Sequence, residues 1–198
     1  MKKSTLPSID SVRTELAEAV RAGCMFIEGD LINTAFRPYA VTFLKGDDLD
    51  MNPDSVVPLK KTLLRTERFC TLHCSSVLWR KRPDMADRIE PILYGSIASP
   101  LAIDKVSNWG YKPLEMSMDF KKVFKLRKSV WLMNRLAEDK LSILLNRGYY
   151  CKVKGAKYIC IARYISPVSD SMDDVVGALE LFTVILPSNK KACLKSLA

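Results

Sequence analysis

The residues that could do chemistry are few in this chain and poorly arranged for it. His73 is the only histidine, which excludes a two-histidine metal site and leaves one imidazole for acid–base work. Cys70, His73 and Cys74 lie close enough along the chain to be weighed as a zinc site. Residues 62–79 are rich in β-formers, however, and on a strand Cys70 and Cys74 share one face while His73 points to the other. A fourth ligand is not evident, and the same alternation separates a Cys–His nucleophile from its base. Asp48-Leu-Asp50-Met-Asn52 mimics the start of a calcium loop, but Pro53 stands where the loop needs Gly and Leu59 where it needs Glu. The eight glycines are scattered and form no phosphate-cradling loop. Asp84 with Asp87 and Glu138 with Asp139 read as helix surface charge. The residue types therefore predict neither an enzyme nor a metal or cofactor site.

Charge is the stronger signal. With 31 Lys and Arg against 22 Asp and Glu, the net charge is +9, which favours an anionic partner such as nucleic acid, an acidic membrane leaflet or an acidic protein. The basic residues cluster at Lys60, Lys61, Arg65 and Arg68, at Arg80, Lys81 and Arg82, at Lys121–Lys128, and at Lys152, Lys154 and Lys157. No Arg-rich recognition helix, zinc finger or paired-aromatic RNA-binding signature accompanies them. The 198 residues, 48% hydrophobic and 27% charged, suit one domain with a substantial core. The six cysteines form no Cys-x-x-Cys, and Met1-Lys-Lys-Ser-Thr-Leu-Pro7 lacks the apolar core of a secretion signal. Reduced thiols in a cytosolic or nuclear compartment are expected; Cys151 and Cys160 could face each other across the expected hairpin, but small buried hydrophobes explain them more simply. No apolar run reaches the roughly 18–20 residues of a membrane helix.

The elements that would carry these charges read as an α+β fold, an antiparallel sheet with helices packed on it in a single domain. A short basic arm (1–8) precedes the globular part (9–166), and a helical extension with a basic tail (167–198) follows. Ser8 or Asp10 caps a helix to about Ala22, ended by Gly23. Tyr39–Leu44 predicts a strand, 46–58 an acidic proline-bearing loop, and 62–79 a long strand or bent pair. Pro83 opens a helix that breaks near Pro91, and Ile92–Trp109 is ambiguous. Leu114, Met116, Met118 and Phe120 alternate with polar residues as in a half-buried strand. Lys121–Lys128 then form a basic hinge, and a helix follows from about Ser129 to Asn146-Arg147-Gly148. Tyr149–Val153 and Tyr158–Ile165 flank a hairpin turn at Lys154-Gly-Ala-Lys157. Beyond Pro167, Asp170, Asp173 and Asp174 open a last helix to about Leu186.

The order of these features resembles the matrix protein of a rhabdovirus, most of all the vesiculovirus branch, over about half the chain. The resemblance is carried by Leu64-Arg-Thr-Glu-Arg-Phe69 opening a strand and Arg82-Pro83 at its exit. It continues through Trp109-Gly-Tyr-Lys-Pro-Leu-Glu-Met-Ser-Met118, then Trp131, Asp139-Lys140, Gly148, Lys152–Tyr158 and Ile165-Ser166. It implies a non-enzymatic viral structural protein that binds the viral ribonucleoprotein and the acidic inner membrane leaflet, self-associates, and drives assembly and budding. The implied locations are the virion beneath the envelope, the host cytoplasm and inner membrane faces, and the nucleus. The family's long Lys-rich and Pro-rich arm is short here, and its Pro-Pro-x-Tyr budding motif is missing. On this reading membrane and nucleocapsid binding falls to Lys2 and Lys3 in the arm and to Lys121, Lys122, Lys125, Arg127 and Lys128. The alternative is a non-structural viral accessory protein that binds RNA, a movement or silencing factor, supported by the same charge.

Overall fold

The computed structural model describes residues 8–35, 53–82, 85, 87–95, 114–137 and 158–185. In chain order the elements are helices α1 (Ile9–Phe26), α2 (Gly29–Thr34) and α3 (Pro53–Arg68), then strands β1 (Cys74–Lys81), β2 (Arg88–Tyr94) and β3 (Leu114–Glu115). Helix α4 (Met118–Leu126) and strands β4 (Val130–Ala137), β5 (Tyr158–Ser169) and β6 (Val175–Ile185) complete the chain. The strands form one antiparallel sheet in the order β3-β2-β1-β6-β5-β4. The first and last long strands therefore meet at its centre. Leu179 and Leu181 of β6 pack with α1, α2 and α3, whereas Ala178 packs with α4. Neighbouring strand residues point to opposite faces, so the three N-terminal helices cover one face and α4 the other. This is a single α+β domain, as the sequence predicts.

Helix α1 begins as expected: the Ser8 hydroxyl accepts the Ser11 N–H at 3.1 Å, and Val12, Leu16, Ala19 and Val20 are buried along one side. Gly23 does not end it. The helix runs on to Phe26, and a β-carbon at Gly23 would lie 2.5 Å from Thr66 Oγ1 and 2.7 Å from Leu179 Cδ2. The glycine is there so that α1 can approach α3 and the sheet closely.

Several other expectations are corrected. Residues 62–68 are helical, and the helix starts within the expected loop, at Pro53. Ser55, Leu59, Leu63 and Thr66 recur at helical spacing and are all buried, which outweighs the local β-preference of Thr62 and Thr66. The helix expected from Pro83 to Pro91 is replaced, from Arg88 on, by β2. Pro91 sits opposite an irregularity in β1, beyond the two residues that pair with β3, where its missing N–H interrupts no described ladder. The alternation at 114–120 yields only the two-residue β3; Ser117 then caps α4, where Phe120, Val123 and Phe124 supply the buried side. The expected helix from Ser129 is strand β4, paired with β5 from Val130↔Ile165 to Ala137↔Tyr158.

The C-terminal helical extension is likewise a strand. β5 runs through the expected boundary at 166, and β6 lies between β1 and β5. Val175, Val176, Thr183 and Ile185 favour extended backbone. The three aspartates make the hairpin turn instead of a helix start. Asp170 Oδ1 accepts the N–H groups of Met172 (3.0 Å) and Asp174 (2.9 Å), and Asp173 is left-handed with φ 63°. Cys160 is disulfide-bonded, whereas Cys24, Cys70 and Cys74 are free, so the expectation of reduced thiols does not hold at Cys160. The strand at Tyr39–Leu44, the acidic segment 48–52, the turn at 154–157, Lys2, Lys3 and the basic tail lie outside the described residues.

Candidate polyanion-binding faces

Helix α4 carries Lys121, Lys122 and Lys125, and its C-cap Arg127 and the following Lys128 complete the five residues expected to bind anions there. The Ser117 hydroxyl accepts the Phe120 N–H at 3.4 Å and opens the helix. Arg127 closes it in the left-handed region, φ 54°, with Lys128 N–H bonded back to Lys122 O at 3.3 Å. Burial of Phe120, Val123 and Phe124 turns Met118, Lys122 and Lys125 outward, with Lys121 half-buried beside them. The cations are matched by carboxylates. Lys122 Nζ lies 3.2 Å from Asp119 Oδ1, Lys125 Nζ 3.3 Å from Asp87 Oδ1, and Arg127 Nη1 and Nη2 lie 2.6 Å and 4.0 Å from Asp173 and Asp174. Each pair is exposed and adds little to stability. Together, though, four carboxylates stand among five cations, leaving a net charge of one within this group. Lys121 and Lys128 form no ion pair with a described residue.

The cluster at Arg80–Arg82 is also largely consumed. Glu90, 1% exposed, receives Arg80 Nε at 2.5 Å and Arg82 Nη1 at 3.2 Å. Two further buried carboxylates hold the sheet together. Glu180 accepts Trp79 Nε1 at 2.7 Å and Arg163 Nε at 2.5 Å, and Glu67 accepts Ser76 N at 2.7 Å and Ser76 Oγ at 2.8 Å. Such groups tolerate burial because hydrogen bonds and opposite charge replace their water.

Helix α3 is different. Lys60 turns inward: its ammonium donates to Gly95 O at 2.7 Å and to Tyr94 O, and burial lowers its pKa against the opposing pull of Glu67. Lys61, Arg65 and Arg68, at i, i+4 and i+7, share the outward stripe of the helix and are all exposed. None of the three forms a hydrogen bond or an ion pair with a described residue. These residues were visible in the sequence as a basic cluster. On the expected strand, though, Arg68 would have faced away from Lys61 and Arg65. The signal that places them together was the helical spacing of Ser55, Leu59, Leu63 and Thr66.

His73 is exposed at the entry to β1, between the free thiols Cys70 and Cys74. Among the described residues no group of three metal-ligating side chains is assembled. No described helix is long and apolar enough to cross a membrane.

The chain matches no protein-family model and no curated protein. Among solved structures it is similar to the periplasmic sensory domain of the Campylobacter jejuni chemoreceptor Tlp1, with 10% identity and a TM-score of 0.37. The match covers 91% of this chain and 57% of that chain, and a likeness this weak carries no functional inference.

Proposed function

We propose that this is a non-enzymatic structural protein of the matrix type, which works by adhering to polyanionic surfaces. The surfaces in view are the viral ribonucleoprotein and the acidic inner leaflet of the envelope, beneath which the protein self-associates. The observation that carries the reading is the stripe of Lys61, Arg65 and Arg68, three exposed cations on one helical face with no carboxylate partner among the described residues. The net charge of +9 supports it. The element types at 64–69 and 131 differ from those the rhabdovirus resemblance implies, so the reading leans on charge placement and not on that order of elements.

Each Lys or Arg near an acidic leaflet contributes about 1 kcal/mol, and each phosphate neutralised steepens the salt dependence. Flotation of the full chain with vesicles of neutral lipid, alone or mixed with phosphatidylserine, tests this directly. Binding that needs the anionic lipid and weakens with salt is expected; equal binding to both vesicles rejects the electrostatic mechanism. Salt-titrated binding to RNA without any affinity for lipid favours the accessory RNA-binding alternative.

A further inference from the structure

The free thiols of Cys70 and Cys74 bracket the loop that leads from α3 into β1. Phe69 and Cys70 continue the last turn of the helix, their N–H groups bonding Thr66 O at 3.1 Å and Glu67 O at 3.3 Å, and Cys74 is the first residue of the strand. The intervening residues are held in place by Glu15 of α1. Its carboxylate accepts Thr71 Oγ1 at 2.8 Å and Leu72 N at 3.0 Å, as well as Thr71 N. This clamp folds the loop back so that both cysteines meet at one carbonyl: Cys74 Sγ donates to Glu67 O at 3.4 Å, the same oxygen that accepts the Cys70 N–H. Both cysteines are half-buried, and exposed Phe69, Thr71 and His73 leave the loop open to small molecules.

We propose that Cys70 and Cys74 are a peroxide-sensitive modification site, with Cys70 the attacking thiolate and Cys74 the thiol that resolves it into an intramolecular disulfide. The Cys70 sulfur attacks one oxygen of a hydroperoxide; an S–O bond forms, the O–O bond breaks, and the leaving oxygen departs as water or alcohol after taking up a proton. Cys74 then attacks the Cys70 sulfur, the S–S bond forms, and the S–O bond breaks to release water. The two thiols lose two electrons and two protons, and the peroxide oxygens take them up.

The hydrogen bond from Cys74 holds the Cys70 thiol below its ordinary range, against burial and the charges of Glu15 and Glu67, and the same bond pushes Cys74 up. This division of roles suits an attacking and a resolving thiol. Cys24 is an internal control, because burial pushes it up to about 12 despite a hydrogen bond with Ser166. The product is a covalent staple across the junction immediately after Arg68, the last residue of the cationic stripe.

The test treats the native full chain with hydrogen peroxide, alkylates the remaining thiols and cleaves at arginine. Cleavage after Arg68 and Arg80 releases Phe69–Arg80, which contains Cys70 and Cys74 and no other cysteine. The expected result is that this peptide becomes lighter by two hydrogens and loses both alkylation sites before Cys24 is modified. In Cys74→Ser, Cys70 should accumulate as a sulfenic acid trapped by dimedone; in Cys70→Ser, Cys74 should stay alkylatable. A doubly alkylated peptide persisting while Cys24 is oxidised overturns the proposal. So does a sulfinic acid at Cys70 without disulfide in the unaltered chain.

Discussion

Replacing Lys61, Arg65 and Arg68 together by Gln removes the exposed cations of α3 and little else, because none of them makes an ion pair or hydrogen bond with a described residue. Lys61 and Arg68 lie about 10 Å apart along the helix, at about 1.5 Å rise per residue. The screening length near physiological salt is about 8 Å, longer than the axial rise of about 6 Å from Lys61 to Arg65 or about 4.5 Å from Arg65 to Arg68, so the three charges face an acidic surface as one patch. At about 1 kcal/mol each the loss is about 3 kcal/mol, roughly 150-fold in affinity. The matched control is Lys122→Gln with Lys125→Gln and Arg127→Gln on α4, which changes the net charge by the same amount. α4 lies on the other side of the sheet. With packed layers about 10 Å apart it stands about 20 Å from a surface contacting α3, beyond two screening lengths. Vesicle co-sedimentation at fixed salt, with phosphatidylserine present, reads both variants; circular dichroism checks that each retains the fold. The α3 variant should lose most of its binding and the α4 variant little. An equal or larger loss from α4 refutes the assignment of the contacting face.

Other consequences concern stability. Glu180→Ala removes the carboxylate that receives both Trp79 and Arg163, and should cost about 3 kcal/mol in urea unfolding, as does breaking other buried pairs. Glu180→Gln, which can still accept from Trp79, should cost less. Gly29→Ala places a β-carbon against the backbone carbonyl of Ser169 in β5, which cannot rotate away; a loss of about 1–3 kcal/mol is expected, and an unchanged melting temperature would contradict this packing. Cys24 has a folded-state pKa raised by burial from 9.0 to about 12. The unfolded chain therefore releases this proton first: the contribution is complete below the unfolded value and is lost as pH rises through the folded one. Cys24→Ala should flatten that alkaline decline in stability, and an unchanged slope would show that another group is responsible.

Two parts of the fold were legible from local pattern. α1 has a capping serine and an apolar stripe of period 3.6, and Tyr158–Ile165 has the β-branched and aromatic content of a strand; both stand where the sequence puts them. The α+β class was likewise readable. α3, β4 and β6 were not. β6 is packed on both faces and flanked by strands on both sides, so its apolar run lacks the alternation that marks a half-exposed strand. A continuous run of that kind is locally indistinguishable from a buried helix. In α3 the β-formers Thr62 and Thr66 were overruled by the side of the segment that faces the sheet.

Composition by itself determined how much positive charge the protein carries. Only the tertiary structure decided where that charge is available. It brings Asp87 and the aspartates of the β5–β6 turn against α4, from positions far away in the chain, and leaves the outward stripe of α3 without any such partner among the described residues. Charge is additive along a sequence, but potential at a surface depends on which opposite charges folding places within a few ångströms of it.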